Sequence, residues 1–490
     1  MVSRNSELIN SIDAFASRKV LVLGEAMLDS YLRGTSERLC QEAPVPIVDI
    51  QQTTDLPGGA ANTAANLSGL GAKTTFVSVI GDDEPGARLL QILEQRCIVG
   101  EHLVRAPNRK TLAKQRILAG SQIVIRFDQG STHPLDTETE TKLIEQLDQL
   151  YPSSDAMVVS DYNYGLITPR VLQALARLQR DEPRVMVVDS KQPRAYRNLN
   201  ATAIKLNYEE CISLLGLTKV PGDDDRLEQI HQHGKRILDL TGAQIAASTL
   251  DHSGALIFHR DDDTPYRTYA EPQPDSQAAG AGDTFVSALA LSLTAGAPVE
   301  HAAEIASAAA SVVVTKNGTS VCSLEELKEF FLADEKVVHD VFQLALRVAL
   351  YRRTGRRIVF TNGCFDILHR GHITYLNRAK ALGDILIVGL NSDESVRNLK
   401  GPSRPINALE DRAQVLAALS CVDHIVPFDS STPHDLIRRI KPDVFVKGGD
   451  YTRETLPEAS LVDELGGRVE ILPYLGSYST TRVIEKIHHH

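Results

Sequence analysis

The chain has 490 residues, 42% hydrophobic and 23% charged, with a formal net charge of −11. That length exceeds one ordinary core, so two or three domains are expected. The acidic balance disfavours general nucleic-acid binding, no apolar run approaches the ~20 residues that span a bilayer, and the six scattered cysteines include no CxxC pair, which argues against a disulfide framework or a structural zinc site.

The opening stretch MVSRNSELINSIDAFASRKV lacks the apolar core of a signal peptide, and a cytoplasmic protein is expected. Strand-like runs then alternate with helical patterns. KVLVLGEAM, TTFVSVIG, AMVVSDY, RVMVVDSK and GALIFH read as buried strands, and residues 169–180 and 302–314 read as helices. The alternation predicts an α/β fold with a mainly parallel sheet. Residues 31–59 break the rhythm with short β-like pieces and prolines. They are expected to form a small β-flap over a site, suited to dimerisation, with an ordinary surface hairpin as the alternative.

Four local patterns in this half carry chemistry. In GEAMLDSYLRG, Asp29 follows the first strand, a place for a sugar-binding acid or a helix cap. In PGGAANTAANLSGLGA, the paired Gly58 and Gly59 precede Asn62 at the start of an Ala-rich helix, which lets polyol hydroxyls approach the backbone. In KLNYEE, Asn207 and Glu210 stand three apart after a strand, a spacing that could organise water and Mg²⁺. In AAGAGDTF, Gly280, Ala281 and Gly282 crowd backbone amides at a helix N-terminus, which suits phosphate oxygens. Asp283 on the first turn could take a proton from an attacking hydroxyl. A tight strand-to-helix turn capped by Asp283 would have the same spacing.

Together, Gly58–Asn62 and Gly280–Asp283 resemble the ribokinase-type (PfkB) sugar kinases over residues 20–322. The segments EAPVPIVDI, PGGAAN, SDYNYG and VDSK resemble more narrowly the kinase half of the bifunctional heptose-7-phosphate kinase/heptose-1-phosphate adenylyltransferase family. The resemblance implies a ribokinase-like α/β sandwich. It makes Asp283 the general base and residues 280–282 the anion hole, with Asn207 and Glu210 as the Asn-x-x-Glu pair and Glu210 reaching a metal only through water. Asp29, Gly58, Gly59 and Asn62 then hold the sugar, and Arg116, Arg126 and Lys191 meet the substrate's phosphate. One departure stands out: many such kinases carry an acid six residues before the base, where this chain has Gln277, followed by Ala278 and Ala279.

Residues 323–355 read as a polar helical connector. The strand pattern then restarts with RRIVFTNG, DILIVGLNSD, HIVPFD, PDVFVKGGD and RVEILPY. In FTNGCFDILHRGHITYLNRAK, His369 lies in a loop and His372 at a helix N-terminus. Two imidazoles beside free helix amides suit a phosphate gaining negative charge. VKGGD supplies Lys447 after a strand, and YSTTRVIEK sets Ser479, Thr480, Thr481 and Arg482 at a helix start, where they could grip a triphosphate. The string from Gly363 through Phe365 and Asp366 to His369 and His372 resembles the nucleotidyltransferases with an HxGH motif. This resemblance implies a Rossmann-like domain with Asn391 and Asp393 near the nucleotide and the histidines acting at the α-phosphate.

The expected organisation is a kinase domain at 1–322, a linker at 323–355, a nucleotidyltransferase domain at 356–487 and a tag remnant at 488–490. The expected partners are ATP with Mg²⁺, sugar phosphates and a second copy through the flap, with no nucleic acid and no membrane. The expected reactions are phosphorylation of heptose 7-phosphate at the anomeric hydroxyl and adenylyl transfer to heptose 1-phosphate. The same chemistries on another sugar phosphate or with CTP, or one half without catalysis, are the alternatives.

Overall fold

The computed structural model describes residues 4–473, apart from 121, 270–277, 317, 335, 339–340, 354 and 450. The chain divides into two compact units, Met1–Leu332 and Ala333–His490.

The first unit is built on a nine-stranded sheet. Its order is Tyr266–Thr268, Ala255–His259, Ile245–Thr249, Ala203–Asn207, Val185–Ser190, Ala156–Asp161, Lys19–Gly24, Lys73–Ile80 and Leu103–Arg105. Pairing is parallel except around Ala255–His259, which runs antiparallel to both neighbours. The strands are apolar runs because both sheet faces are covered. Their side chains alternate between two cores: Val20 and Val22 pack on one face, and Leu21 and Leu23 on the other. The first of these cores includes the helices Ala60–Gly69, Ala281–Thr294 and Val299–Val314.

The expected flap is a four-stranded sheet in the order Pro46–Gly59, Ala26–Leu39, Leu112–Ala119, Gln122–Gln129. It is larger than residues 31–59 because a second hairpin, Leu112–Gln129 in extent, adds in parallel to the first. The flap exposes Leu39, Val45, Ile47, Ile50, Ile123, Val124 and Ile125.

The second unit carries a five-stranded parallel sheet in the order His424–Phe428, Ile385–Asn391, Ile358–Gly363, Val444–Gly448, Arg468–Leu472. Numbered along this unit the order is 3-2-1-4-5, a doubly wound sheet whose order reverses between Ile358–Gly363 and Val444–Gly448. A crevice opens at the carboxyl ends of strands flanking such a switch point.

The stretch expected as a connector is divided between the two cores. In the helix Leu324–Asp334, Leu327 and Phe331 join the first core. In the helix Val341–Arg353, Leu344 and Val348 join the second unit's core together with Val338. Apolar positions in both helices find a core to cover, and the boundary between units falls after Leu332, in the last turn of the first helix.

Candidate active sites

In the first unit a cavity of about 130 Å³ is lined by Asp161, Tyr162, Asp189, Lys191, Lys205, Gly280, Gly282 and Asp283. Gly280 is the N-cap of the helix that carries Asp283, with φ of 94°. A Cβ there would sit 2.4 Å from Asn62 Nδ2, so both conformation and space require glycine. Asp283 is buried. Its Oδ2 accepts from Asn62 Nδ2 at 2.8 Å, and its Oδ1 accepts from the Tyr162 hydroxyl at 2.9 Å and the Thr63 hydroxyl at 3.4 Å. Burial raises the Asp283 pKa, while the Asn62 and Tyr162 hydrogen bonds and the Lys205 charge hold it down.

Asn62, expected on the sugar, is thus a donor to the candidate base. Asn207 and Glu210 form a capping box. The Glu210 N–H donates to Asn207 Oδ1 at 2.9 Å, and the Asn207 N–H donates to Glu210 Oε2 at 2.8 Å. The other Glu210 oxygen accepts from Lys191 Nζ at 2.6 Å. The Asn-x-x-Glu spacing therefore has a structural cause in the start of the helix Tyr208–Leu215. Lys191 faces the cavity already paired.

Asp29 is buried on the flap strand and bonded to Arg116 at 3.1 Å and to the Thr319 hydroxyl at 3.1 Å. Gly58 pairs with Met27, diagonal to Asp29, and a Cβ on it would come within 2.8 Å of the Asp29 carboxyl. Gly59 has φ of 58° and caps the helix Ala60–Gly69. Arg116 and Arg126 face one another across the hairpin. Arg126 is the outer of the two, donating through Nε and Nη2 to the Asp128 carboxylate at 2.8 and 2.6 Å.

Sequence reasoning missed three residues here. Lys205 is a buried ammonium 3.2 Å from Asp189, and a Cβ on Gly282 would lie 3.0 Å from its Nζ. Burial opposes its charge, yet the surrounding carboxylates of Asp189, Glu210 and Asp283 raise its pKa. Burial likewise pushes Asp189 up to about 6, against the pull of Lys205. The signal was a lysine inside the apolar strand run AIKLN, on the same face as Asn207. Lys114 lies over the rings of Tyr162 at 5.2 Å and Tyr164 at 5.5 Å, and burial lowers its pKa. No carboxylate of the described residues lies within ion-pair distance of it. Its signal was the period-two match to Arg116. Tyr162 follows a strand end in SDYNYG, where nothing local marks its hydroxyl as aimed at Asp283.

The second unit's site stands at the switch point. His369 is the N-cap of the helix Arg370–Lys380, and its Nδ1 accepts the Gly371 N–H at 3.2 Å. In the neutral ring this leaves the proton on Nε2. The rings of His369 and His372 stack with centroids 3.9 Å apart, and Phe365 packs edge-on against His372 at 5.3 Å. Phe365 has φ of 43°, a left-handed conformation that turns the loop after Gly363. Burial, with the nearby His369 and Lys400 charges, pushes the His372 pKa down to about 4, and burial lowers that of His369. His372 Nδ1 is buried with no hydrogen-bond partner among the described residues. Across the switch point Lys447 Nζ donates to Asn362 Oδ1 at 2.8 Å, and burial lowers its pKa.

Asn391 and Asp393 are engaged in the fold. Asn391 Nδ2 donates to the Ser395 hydroxyl at 3.0 Å, and Asp393 accepts from Arg412 at 2.7 Å. Arg412 is fully buried and also donates to the carbonyls of Asn407 at 3.0 Å, Cys364 at 2.6 Å and Asn391 at 2.9 Å. One guanidinium thus ties the histidine loop to the neighbouring strand end. Arg412→Ala leaves those acceptors without a donor and is expected to cost about 3 kcal/mol. In urea denaturation of the whole chain, nucleotidyl transfer should then fail at lower denaturant than the kinase. An unchanged midpoint would mean that water replaces the guanidinium. Ser479, Thr480, Thr481 and Arg482 lie outside the described residues, as does Gln277.

The fold and the two sites define a two-domain transferase, a sugar kinase followed by a nucleotidyltransferase. Residues 17–327 match the pfkB family of carbohydrate kinases, and residues 360–486 match a cytidylyltransferase-like family. The chain is 39% identical to the bifunctional protein HldE of Syntrophotalea carbinolica over 487 residues, 97% of this chain and 98% of that protein. It is 38% identical to the bifunctional protein HldE of Trichlorobacter lovleyi over 475 residues, 96% and 95% of the two chains. The chain belongs to the HldE family of bifunctional proteins. The first unit shares its fold with phosphofructokinase-2 from Escherichia coli in complex with substrates and products, at a TM-score of 0.53 and 20% identity, covering 64% of this chain and 98% of that one.

Proposed function

We propose that the first unit phosphorylates D-glycero-D-manno-heptose 7-phosphate at its anomeric hydroxyl with ATP, and that the second joins heptose 1-phosphate to the AMP moiety of ATP, giving ADP-heptose and pyrophosphate. One observation carries this reading: a single chain joins a phosphoryl-transfer cradle around Asp283 to a stacked histidine pair at a nucleotide-binding switch point. A sugar kinase acting at the anomeric carbon makes the sugar 1-phosphate that a nucleotidyltransferase consumes. A separate phosphatase removes the 7-phosphate between the two steps.

In the first reaction Asp283 takes the proton of the sugar hydroxyl while its oxygen bonds to the γ-phosphorus and the bond to ADP breaks. The amides of residues 280–282 and the Lys205 ammonium face the charge that develops. Lys114 and Arg116 receive the phosphate already on the sugar. In the second reaction the sugar phosphate is itself the anionic nucleophile, and the histidines and Lys447 neutralise the α-phosphate.

Magnesium enters with ATP. Among the described residues no group of three or more His, Cys, Asp or Glu side chains could hold a metal ion, and both Glu210 oxygens already accept hydrogen bonds. The residues fit an ion carried by phosphate oxygens and water, with Glu210 reached through water. Bound so, it would neutralise triphosphate charge and improve the leaving group. The exposed apolar flap residues fit a homodimer through paired kinase units. Both reactions draw on ATP, which fits the cytoplasm.

The test is mass spectrometry of products. Purified protein with ATP, Mg²⁺ and heptose 7-phosphate should yield the bisphosphate, and heptose 1-phosphate with ATP should yield ADP-heptose. The cytidylyltransferase-like match favours a second reading with CTP, so a parallel tube supplies it. CDP-sugar as the main product would replace the adenylyl assignment, and no bisphosphate would move the kinase to another sugar.

A further inference from the structure

Asp283 has two close donors, and both lead back to Glu25. Glu25 sits between the strands Lys19–Gly24 and Ala26–Leu39, where the main sheet gives way to the flap. Its backbone carbonyl accepts the Ala60 N–H at 3.0 Å and so fixes the start of the helix that carries Asn62. Glu25 is 2% exposed, and its carboxylate accepts the N–H groups of Tyr162 at 2.8 Å, Tyr164 at 3.0 Å and Leu166 at 3.4 Å. Arg109 holds the same loop through the Tyr164 carbonyl at 2.6 Å. Asp161 closes the loop's near end, accepting from the Asn163 N–H at 2.8 Å, the Ser190 hydroxyl at 2.7 Å and the Tyr196 hydroxyl at 2.8 Å. A loop that is pinned at four amides and one carbonyl presents its tyrosine in one place.

We propose that Tyr162 is a positioning residue for the kinase base, and that Glu25 is the common anchor that aims both Tyr162 and Asn62 at Asp283. This inference rests on Asp283 being that base. A close donor on each carboxylate oxygen fixes the plane of the group, and Oδ2, which accepts from Asn62 alone, keeps a lone pair for the substrate hydroxyl. Donors to a carboxylate also favour its ionised form. They thereby keep a buried aspartate able to accept a proton. Burial and the Asp283 charge raise the Tyr162 pKa, so the phenol stays a donor throughout the working range.

The other charged groups facing Asp283 are Lys205 from the strand Ala203–Asn207, Asp29 from the flap and Asp189 from the strand Val185–Ser190. Lys114 faces the Tyr162 ring. Glu25 faces Asp161 and Arg109. Burial and Asp161 push Glu25 up to about 7, so the anchor itself changes charge near neutrality.

The experiment uses the full chain and follows kcat/KM for sugar phosphorylation against pH, with nucleotidyl transfer as the control for folding. In Tyr162→Phe the acid limb should move to higher pH, and activity at pH 6 should fall roughly tenfold, the worth of one hydrogen bond to a charged group. Transfer should be unchanged. Glu25→Gln should move the limb in the same direction by loosening the same donors. A uniform loss at every pH in Tyr162→Phe, with the limb in place, would reduce the tyrosine to packing and overturn the proposal. An unchanged profile in Glu25→Gln would overturn the anchor.

A second readout needs no substrate. The Asp283 carboxylate band is taken as the infrared difference between each protein and its Asp283→Asn counterpart. Its protonation midpoint should rise when Tyr162 becomes Phe, and an unmoved midpoint counts against the proposal. A wild-type enzyme inactive on heptose 7-phosphate would refute the substrate assignment alone, because the infrared titration still decides the role of Tyr162. Kinase activity surviving Asp283→Asn would undo the base and this inference with it.

Discussion

Asp283→Asn should abolish sugar phosphorylation and leave nucleotidyl transfer intact. The carboxylate sits at the N-terminus of a helix sealed on nearly all sides, with ten consecutive buried residues from Asp283 to Ser292. The amide keeps the shape and the space but cannot take a proton. A general base contributes about 10²- to 10⁴-fold, so kcat should fall by at least about two orders of magnitude. KM for the sugar should change little, because Asp29 and Arg116 stand on the flap. The measurement is coupled ADP release with sugar phosphate, beside pyrophosphate release from the second unit. Loss of both activities in a folded variant would sink the picture of two independent sites. A residual rate above a tenth of wild type would remove Asp283 from the chemistry.

The second large effect is expected at the histidine pair. His372→Ala removes an imidazole whose Nδ1 is buried without a hydrogen-bond partner among the described residues. A preorganised donor of this kind contributes about 10²- to 10³-fold to kcat. Pyrophosphate release should fall by that factor while sugar phosphorylation stays. His369→Ala should lose activity and also helix stability, because His369 caps the helix that carries His372. The pH dependence has a definite sign. Burial pushes the His372 pKa from the ordinary 6.5 down to about 4 in the fold. Between those values the unfolded chain binds the extra proton, so the second unit loses stability as pH falls through that window. His372→Ala should flatten part of that slope in thermal melts between pH 7 and 4. A slope identical to wild type would show that the imidazole titrates normally.

The positions of the two candidate sites were legible because the motifs are local. The GAGD run needs small residues where amides converge, and Gly280 with φ of 94° could be little else. The HxGH spacing puts one histidine at a cap and the next one turn in, which follows from helix geometry. The strand runs were equally legible, since burial on both faces demands continuous apolar stretches. The partners of these residues were not legible. The resemblance to the sugar kinases placed Asn62 on the sugar, and the structure adds that it donates to Asp283 across 221 positions of chain. Asn207 and Glu210 read as a water and metal organiser, although their mutual spacing is that of a capping box. The resemblance placed Lys191, Arg126 and Arg116 on the substrate's phosphate, and their pairing with Glu210, Asp128 and Asp29 was not visible in it.

The sequence by itself determined two α/β units, their order, and the residue types at each candidate site, because periodicity, helix starts and glycine requirements act over a few residues. Only the tertiary structure decided which groups surround those centres. Lys205 reaches the anion hole through a sheet crossover, Tyr162 reaches Asp283 from a loop pinned by Glu25, and Arg412 ties four segments together around the histidine loop. Such contacts join residues far apart in the chain. Buried donors and carboxylates choose partners by where the packed core brings them, and that choice leaves no periodic trace.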